Sequence, residues 1–270
     1  MTQTIETNNP ENTPRLSRST KLLYGAGDTG FSLTSTLLGA YFAIFLTDVV
    51  GVAPSVAAAA IFVGRSWDYI NDPLIGHISD RTRTRWGRRR PFLLFGAIPY
   101  ALAFTLLWWR PPWTSDLALA IYYAAAYVVF DAAATFVYMP YFALTPELTP
   151  DYDERTALTS YRMFFSILGS LISFTLPLAI VGSFTPDNAP KVLTMGITFG
   201  AVAAMAVLIT FFGTREREVF MAQEQPSLRQ SLRAAKGNRP FLFALGIFLC
   251  TWVVISVVQA SLLYLSLIHI

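Results

Sequence analysis

The sequence predicts an all-α membrane protein, and three observations carry that expectation. Hydrophobic residues make up 54% of the 270-residue chain and charged residues 14%, with a mean hydropathy of +0.47, whereas soluble domains carry about 25% charged residues. Apolar windows long enough to span a bilayer recur seven times, at about residues 22–50, 54–79, 91–109, 116–142, 156–181, 192–212 and 241–267. The basic residues are also sorted: of the 20 lysines and arginines, sixteen fall in the N-terminal tail and every second loop after it. Only Arg110 and Lys191 fall in the opposite loops, and Arg65 and Arg162 lie inside windows.

By the positive-inside rule this sorting makes the N-terminus cytoplasmic and the protein a multi-pass component of a cell (inner) membrane. A pI near 9.0 is thereby explained by topology, so nucleic acid is not an expected partner; the lipid bilayer is. Residues 1–20 are rich in Thr, Asn and Pro, lack a signal-peptide apolar core, and are expected to form a disordered cytoplasmic tail. Residues 21–213 supply six windows with short loops between them, which predicts a six-helix transmembrane bundle.

The segment 214–240 reads as a cytoplasmic linker. Within it Pro226 and Ser227 start a helix, and Leu228, Leu232 and Ala235 fall at i, i+4 and i+7 against Arg229, Arg233 and Lys236. That spacing predicts a short amphipathic helix. Residues 241–270 form the seventh window, expected to be truncated, and the closing SLIHI resembles a translated sequencing-adapter tail, so His269 takes no part in the functional argument. Cys250, the one cysteine, forms no disulfide within the chain and is read as apolar filler.

The second window holds the most informative residues. The run FVGRSWDYINDPLIG at 62–76 sets Arg65, Asp68, Asn71 and Asp72 inside an apolar stretch, where ionisable groups are costly and mark ion or substrate pathways. At 100° per residue Asp68 and Asp72 lie about 40° apart on one helix face, with Arg65 a turn further back. Pro73 lacks the N–H that would bond the Tyr69 carbonyl, which frees a backbone acceptor beside the acids. Two carboxylates, an amide oxygen and a loose carbonyl suit Na⁺, or a proton shared between the acids. The competing reading is an Arg65–Asp68 salt bridge that merely joins helices; it leaves Asp72 unpaired where an unpaired charge is expensive. In the fourth window Asp131, Thr135 and Tyr138 share a face at i, i+4 and i+7. In the first window Asp28 stands either for a polar contact to solute or for a hydrogen bond to helix backbone beside Gly27 and Gly30.

Several motifs together resemble the glycoside–pentoside–hexuronide:cation symporters of the major facilitator superfamily. YGAGDTG opens the first window and FLTDVVG closes it. RSWDYINDPLIG lies in the second, SDRTRTRWGRRRP follows it, LTPELTPDYDERTALTSYR joins the fourth and fifth, and NRPF opens the seventh. The resemblance implies twelve helices in two bundles, of which this chain supplies the N-terminal six-helix bundle and the first helix of the C-terminal bundle, with the rest of that bundle as its missing partner. In the family's melibiose permease the cation ligands match Asp68, Asn71, Asp72 and Thr135 here, all of unchanged type. The loop after the second helix matches the superfamily's inner-gate motif, which implies that Asp80 and the arginines Arg88, Arg89 and Arg90 pair with neighbouring helix ends. For any single arginine, plain positive-inside anchoring serves equally well.

The same permease's sugar contacts do not carry over. Its two sugar-binding aspartates fall on Ser32 and Tyr138, its stacking tyrosine and tryptophan on Ala134 and Phe142, and its lysine on Phe31; its fifth-helix arginine remains, as Arg162. The resemblance therefore implies a Na⁺- or H⁺-coupled symporter of the glycoside class with no other cofactor, in which Arg162, Tyr138, Asp131 and Asp28 face a small-molecule solute that is not a galactoside. The alternatives are a lysolipid or other amphiphile transporter, since vertebrate lysophospholipid transporters share the FVGR-W-D---DPL-G pattern, and a non-functional truncated fragment. An enzyme is not expected, because no nucleophile–base pair or transition-metal cluster is visible. A retinal-type receptor is excluded because Lys21, Lys191 and Lys236 all sit at window edges.

Overall fold

The computed structural model describes residues 15–216 and 228–269, with side-chain surroundings described to residue 254 except at 228–232. The tail up to residue 14 and the proposed helix start at Pro226 and Ser227 lie outside the described residues. The chain divides into two compact units, Met1–Gln223 and Glu224–Ile270.

The first unit is all helix apart from its loops. α1 (Arg18–Leu37) starts three residues inside the expected tail, where Ser17 caps it by accepting from the Thr20 N–H at 3.1 Å. It runs on through π-helical segments Leu38–Phe42 and Phe45–Val50 and stops at Gly51, whose φ of 91° ends the helix. The second window is not one helix. α2 (Pro54–Ser66) and α3 (Asp68–Arg81) are separated at Trp67, whose N–H reaches back to the Gly64 carbonyl at 3.2 Å in a tightened turn. Pro73 lies inside α3, and the discontinuity falls just before Asp68. Asp68 thus becomes the first residue of a helix, where a carboxylate is favoured by the unpaired N–H groups.

α4 (Arg90–Leu107), α5 (Asp116–Leu148), α6 (Tyr152–Val181) and α7 (Ala189–Gly213) follow. Among the described residues four helical segments are by themselves long and apolar enough to cross a membrane, corresponding to α4, α5, α6 and α7 with its preceding turn. The first two windows reach spanning length only as composites, α1 with its π-helical extension and α2 with α3. α1 packs on α6 and α7, α4 lies against α5 and α7, and α2 and α3 both lie on α5. Aromatic rings fill the middle: Phe42 and Phe45 meet Trp108 and Tyr123 with centroids 5.4–6.2 Å apart, and Tyr24 stacks on Tyr141 at 5.0 Å.

One close approach sets α2 against α5 beside the functional residues. A Cβ at Gly64 would lie 2.3 Å from the Tyr127 ring, so only glycine lets the two helices meet there. The second unit consists of a helix at Leu228–Gly237 and a longer one at Arg239–His269. The former carries the amphipathic spacing expected of the linker.

Candidate ion and solute site

α3 and α5 bring the ion-binding candidates together. Thr135, buried near the middle of α5, donates its hydroxyl to Asp72 Oδ1 at 3.1 Å. Asp68, one turn before Asp72, has Asp72, Thr135 and Arg65 as its electrostatic neighbours and is exposed on the open face of this unit. Asn71 is buried and donates from Nδ2 to the Asp131 backbone carbonyl at 3.4 Å. The alternative Arg65–Asp68 salt bridge does not form among the described residues; Arg65 donates from Nε to the Tyr127 hydroxyl at 3.3 Å. The two acids therefore stay available beside the Thr135 hydroxyl, oxygen donors suited to a hard monovalent cation.

Asp131 lies among the ion-binding candidates. Its neighbours are Asn71, Asp68, Asp72 and Arg65, and its Oδ2 is enclosed without a hydrogen-bond partner. The i, i+4 relation to Thr135 puts it one turn along α5 facing α3, which the sequence alone could not tell from facing α1.

The other end of the site joins α1, α5 and α6. Asp28 is 7% exposed and pairs with Arg162 at 3.8 Å, in place of the hydrogen bond to helix backbone considered for it. The Arg162 guanidinium lies over Phe142 at 4.4 Å and Tyr141 at 5.4 Å. Tyr138 packs its ring on Phe31, Phe142 and Tyr100, and its hydroxyl has Tyr100 and Thr34 as hydrogen-bonding neighbours. Its hydroxyl is thereby engaged within the bundle. Thr135, Tyr138 and Phe142 follow one face of α5, so the ion end and the Arg162 end stand roughly 10 Å apart along that helix.

The gate candidates form a network with neighbouring helix ends. Asp80, in the last turn of α3, pairs with Arg89. Arg88 pairs through Nη2 with Glu147 at 2.5 Å, and Arg89 reaches the same Glu147 oxygen from Nε at 3.0 Å and the Ser79 hydroxyl from Nη1 at 2.6 Å. Glu216, just after α7, accepts from the backbone N–H groups of Arg88, Arg89 and Arg90 at 2.5, 2.7 and 2.8 Å, neutralising the start of α4. Arg90 donates to the Phe211 carbonyl at 2.8 Å, satisfying an acceptor in the last turn of α7. Sequence inspection missed Glu147 and Glu216; the available signal for Glu147 was an acid in the last turn of a largely apolar helix. At the same end, Lys21 of α1 pairs with Glu154 of α6 at 2.9 Å.

Comparison with known proteins matches residues 23–268 to the family model described as MFS/sugar transport protein. The uncharacterized symporter sll1374 of Synechocystis sp. is 40% identical over 240 residues, covering 87% of this chain and 43% of the relative. YagG of Escherichia coli, whose name proposes glycoside/cation symport, is 35% identical over 83% of this chain and 49% of its own length. The sodium-dependent lysophosphatidylcholine symporter 1 of Mus musculus is 30% identical over 93% of this chain and 53% of its own. The chain spans about half the length of the curated relatives it matches. With motifs, helical architecture and family match in agreement, the chain belongs to the MFS/sugar transport family, in its glycoside/cation-symporter branch, a family of multi-pass membrane transporters and not of enzymes.

Proposed function

We propose that this chain is the ion-binding half of a cation:solute symporter, in which Asp68 and Asp72 hold Na⁺, Asn71 and Thr135 complete its shell, and alternating access of two bundles couples the ion to uptake. The observation that carries this is the Thr135–Asp72 hydrogen bond between α3 and α5 with Asp68 beside it. Na⁺ is favoured over a proton because two carboxylates and a hydroxyl meet between α3 and α5, with Asn71 of the same α3 turn held against α5. Asp131 adds a negative charge behind them. Binding of radioactive sodium to the purified chain tests this. Saturable binding lost in Asp72→Asn supports the site; binding that survives this change sinks it.

The solute is a small polar molecule of the glycoside class, received by Arg162, Asp28 and the Phe142 and Tyr138 rings. An amphiphile with an acyl chain is the second reading. It is favoured by an apolar groove of about 590 Å³, lined by Ala57, Ala58, Ile61 and Phe62, with Arg65 and Tyr69 towards the α3 end. The N-terminus and the loops at Arg83, Asp151 and Arg229 lie in the cytoplasm, and the membrane is the cell (inner) membrane. Labelling of cysteines placed in those loops by an impermeant reagent from outside whole cells would overturn that orientation.

A further inference from the structure

Six arginines lie from the end of α3 to the start of α4, and the fold separates them by role. Arg88, Arg89 and Arg90 turn into the bundle and join the Glu147 and Glu216 network. Arg81, Arg83 and Arg85 are exposed. Arg85 has no carboxylate at ion-pairing distance among the described residues; its guanidinium lies 4.4 Å over the Trp86 ring. Trp86 in turn packs its ring on Phe95 at 5.8 Å. Below Phe95 a stripe of large apolar residues continues down α4: Phe95, Ile98, Leu102 and Leu106 are 60%, 63%, 61% and 44% exposed. Their spacing of three and four residues keeps them on one face.

At 1.5 Å per residue the stripe is about 16 Å long, close to the roughly 15 Å of hydrocarbon in one leaflet. A tryptophan at its head sits where indole rings prefer to lie, at the headgroup boundary. We propose that this strip is a binding site for an anionic phospholipid: one acyl chain lies along Phe95 to Leu106, the glycerol region contacts Trp86, and the phosphate meets the Arg85 guanidinium. The Arg85 guanidinium, with no carboxylate at ion-pairing distance among the described residues, favours an anionic headgroup over a zwitterionic one. The site is separate from the ion and solute residues of α3, α5 and α6, and it does not depend on the choice of solute.

Native mass spectrometry of the delipidated, purified chain tests it, with phosphatidylglycerol and phosphatidylcholine titrated separately. Phosphatidylglycerol should be retained about fivefold more strongly, the effect of roughly one arginine near the surface. Arg85→Gln, at an exposed position outside every packed contact but Trp86, should bring it to the phosphatidylcholine level, and Arg85→Lys should restore most of the difference. An excess of inorganic phosphate should displace none of it, since a free anion lacks the chain that the α4 stripe receives. Equal retention of the two lipids, an Arg85→Gln chain that binds like the parent, or displacement by phosphate overturns the proposal.

Discussion

Thr135 and Asp72 are joined by a hydrogen bond of 3.1 Å between α5 and α3. The bond engages one Asp72 carboxylate oxygen, and both side chains have Asp68 as a neighbour. A hydrogen bond to a charged group contributes about 1.5–3 kcal/mol. Thr135→Ala should therefore weaken sodium binding roughly tenfold or more, while Thr135→Ser, which keeps the hydroxyl, should stay within about threefold of the parent. Equal affinities for the alanine and serine variants would show that the hydroxyl only aligns the helices.

Glu147 holds two arginines, Arg88 and Arg89, and all three side chains are at most 8% exposed. Removing one partner of a buried pair leaves an uncompensated charge and costs about 3–5 kcal/mol. Glu147→Ala should therefore lower thermal stability in detergent micelles far more than Asp80→Ala, since the Asp80 side chain is 36% exposed and water can screen what it leaves behind. Similar losses in the two variants would mean that the network is solvated when the protein is in its working state.

Gly87 turns the α3–α4 loop with φ at +112°, and a Cβ there would lie 2.5–2.6 Å from the Glu216 carboxylate. Alanine meets both the left-handed backbone penalty and that contact. Gly87→Ala should destabilise the first unit by about 1–3 kcal/mol and loosen the anchor that Glu216 makes on the start of α4. The readout is the thermal midpoint together with proteolysis at the loop arginines; an unchanged midpoint with unchanged proteolysis would show that the loop takes up another conformation at no cost.

The helices were legible because each window is a long apolar run, a local property of the chain. The division at Trp67 was not, because Trp67 keeps near-helical angles of −65° and −30° and only its hydrogen bonding changes. Asp68, Asp72 and Thr135 were legible as a group from helical spacing joined to motif resemblance. The neighbours of Asp131 were not legible, because a face of α5 shared with Thr135 is wide enough to look towards either α3 or α1. Glu147 and Glu216 stayed hidden because their partners lie 59 and 128 residues away. No periodicity encodes a pairing of that range, and six arginines offer too many choices.

Arg162 and Asp28 stand about 10 Å along α5 from the ion residues, and this separation predicts which measurements each pair controls. Arg162→Lys keeps the charge but loses the flat guanidinium that rests over Phe142 at 4.4 Å. It should raise the half-saturating solute concentration about tenfold or more in the transporter that contains this chain, and leave sodium binding by the chain unchanged. Ser32 and Tyr138 supply no carboxylates for a galactoside, so labelled melibiose should be a poor solute in the same assay. Other glycosides and lysolipids, run side by side, separate the two substrate classes. Strong sodium-stimulated galactoside uptake would show that Asp28 and Arg162 recognise a galactoside without the two aspartates. An Arg162→Lys variant that loses sodium binding and leaves solute affinity intact would reverse the assignment of the two ends.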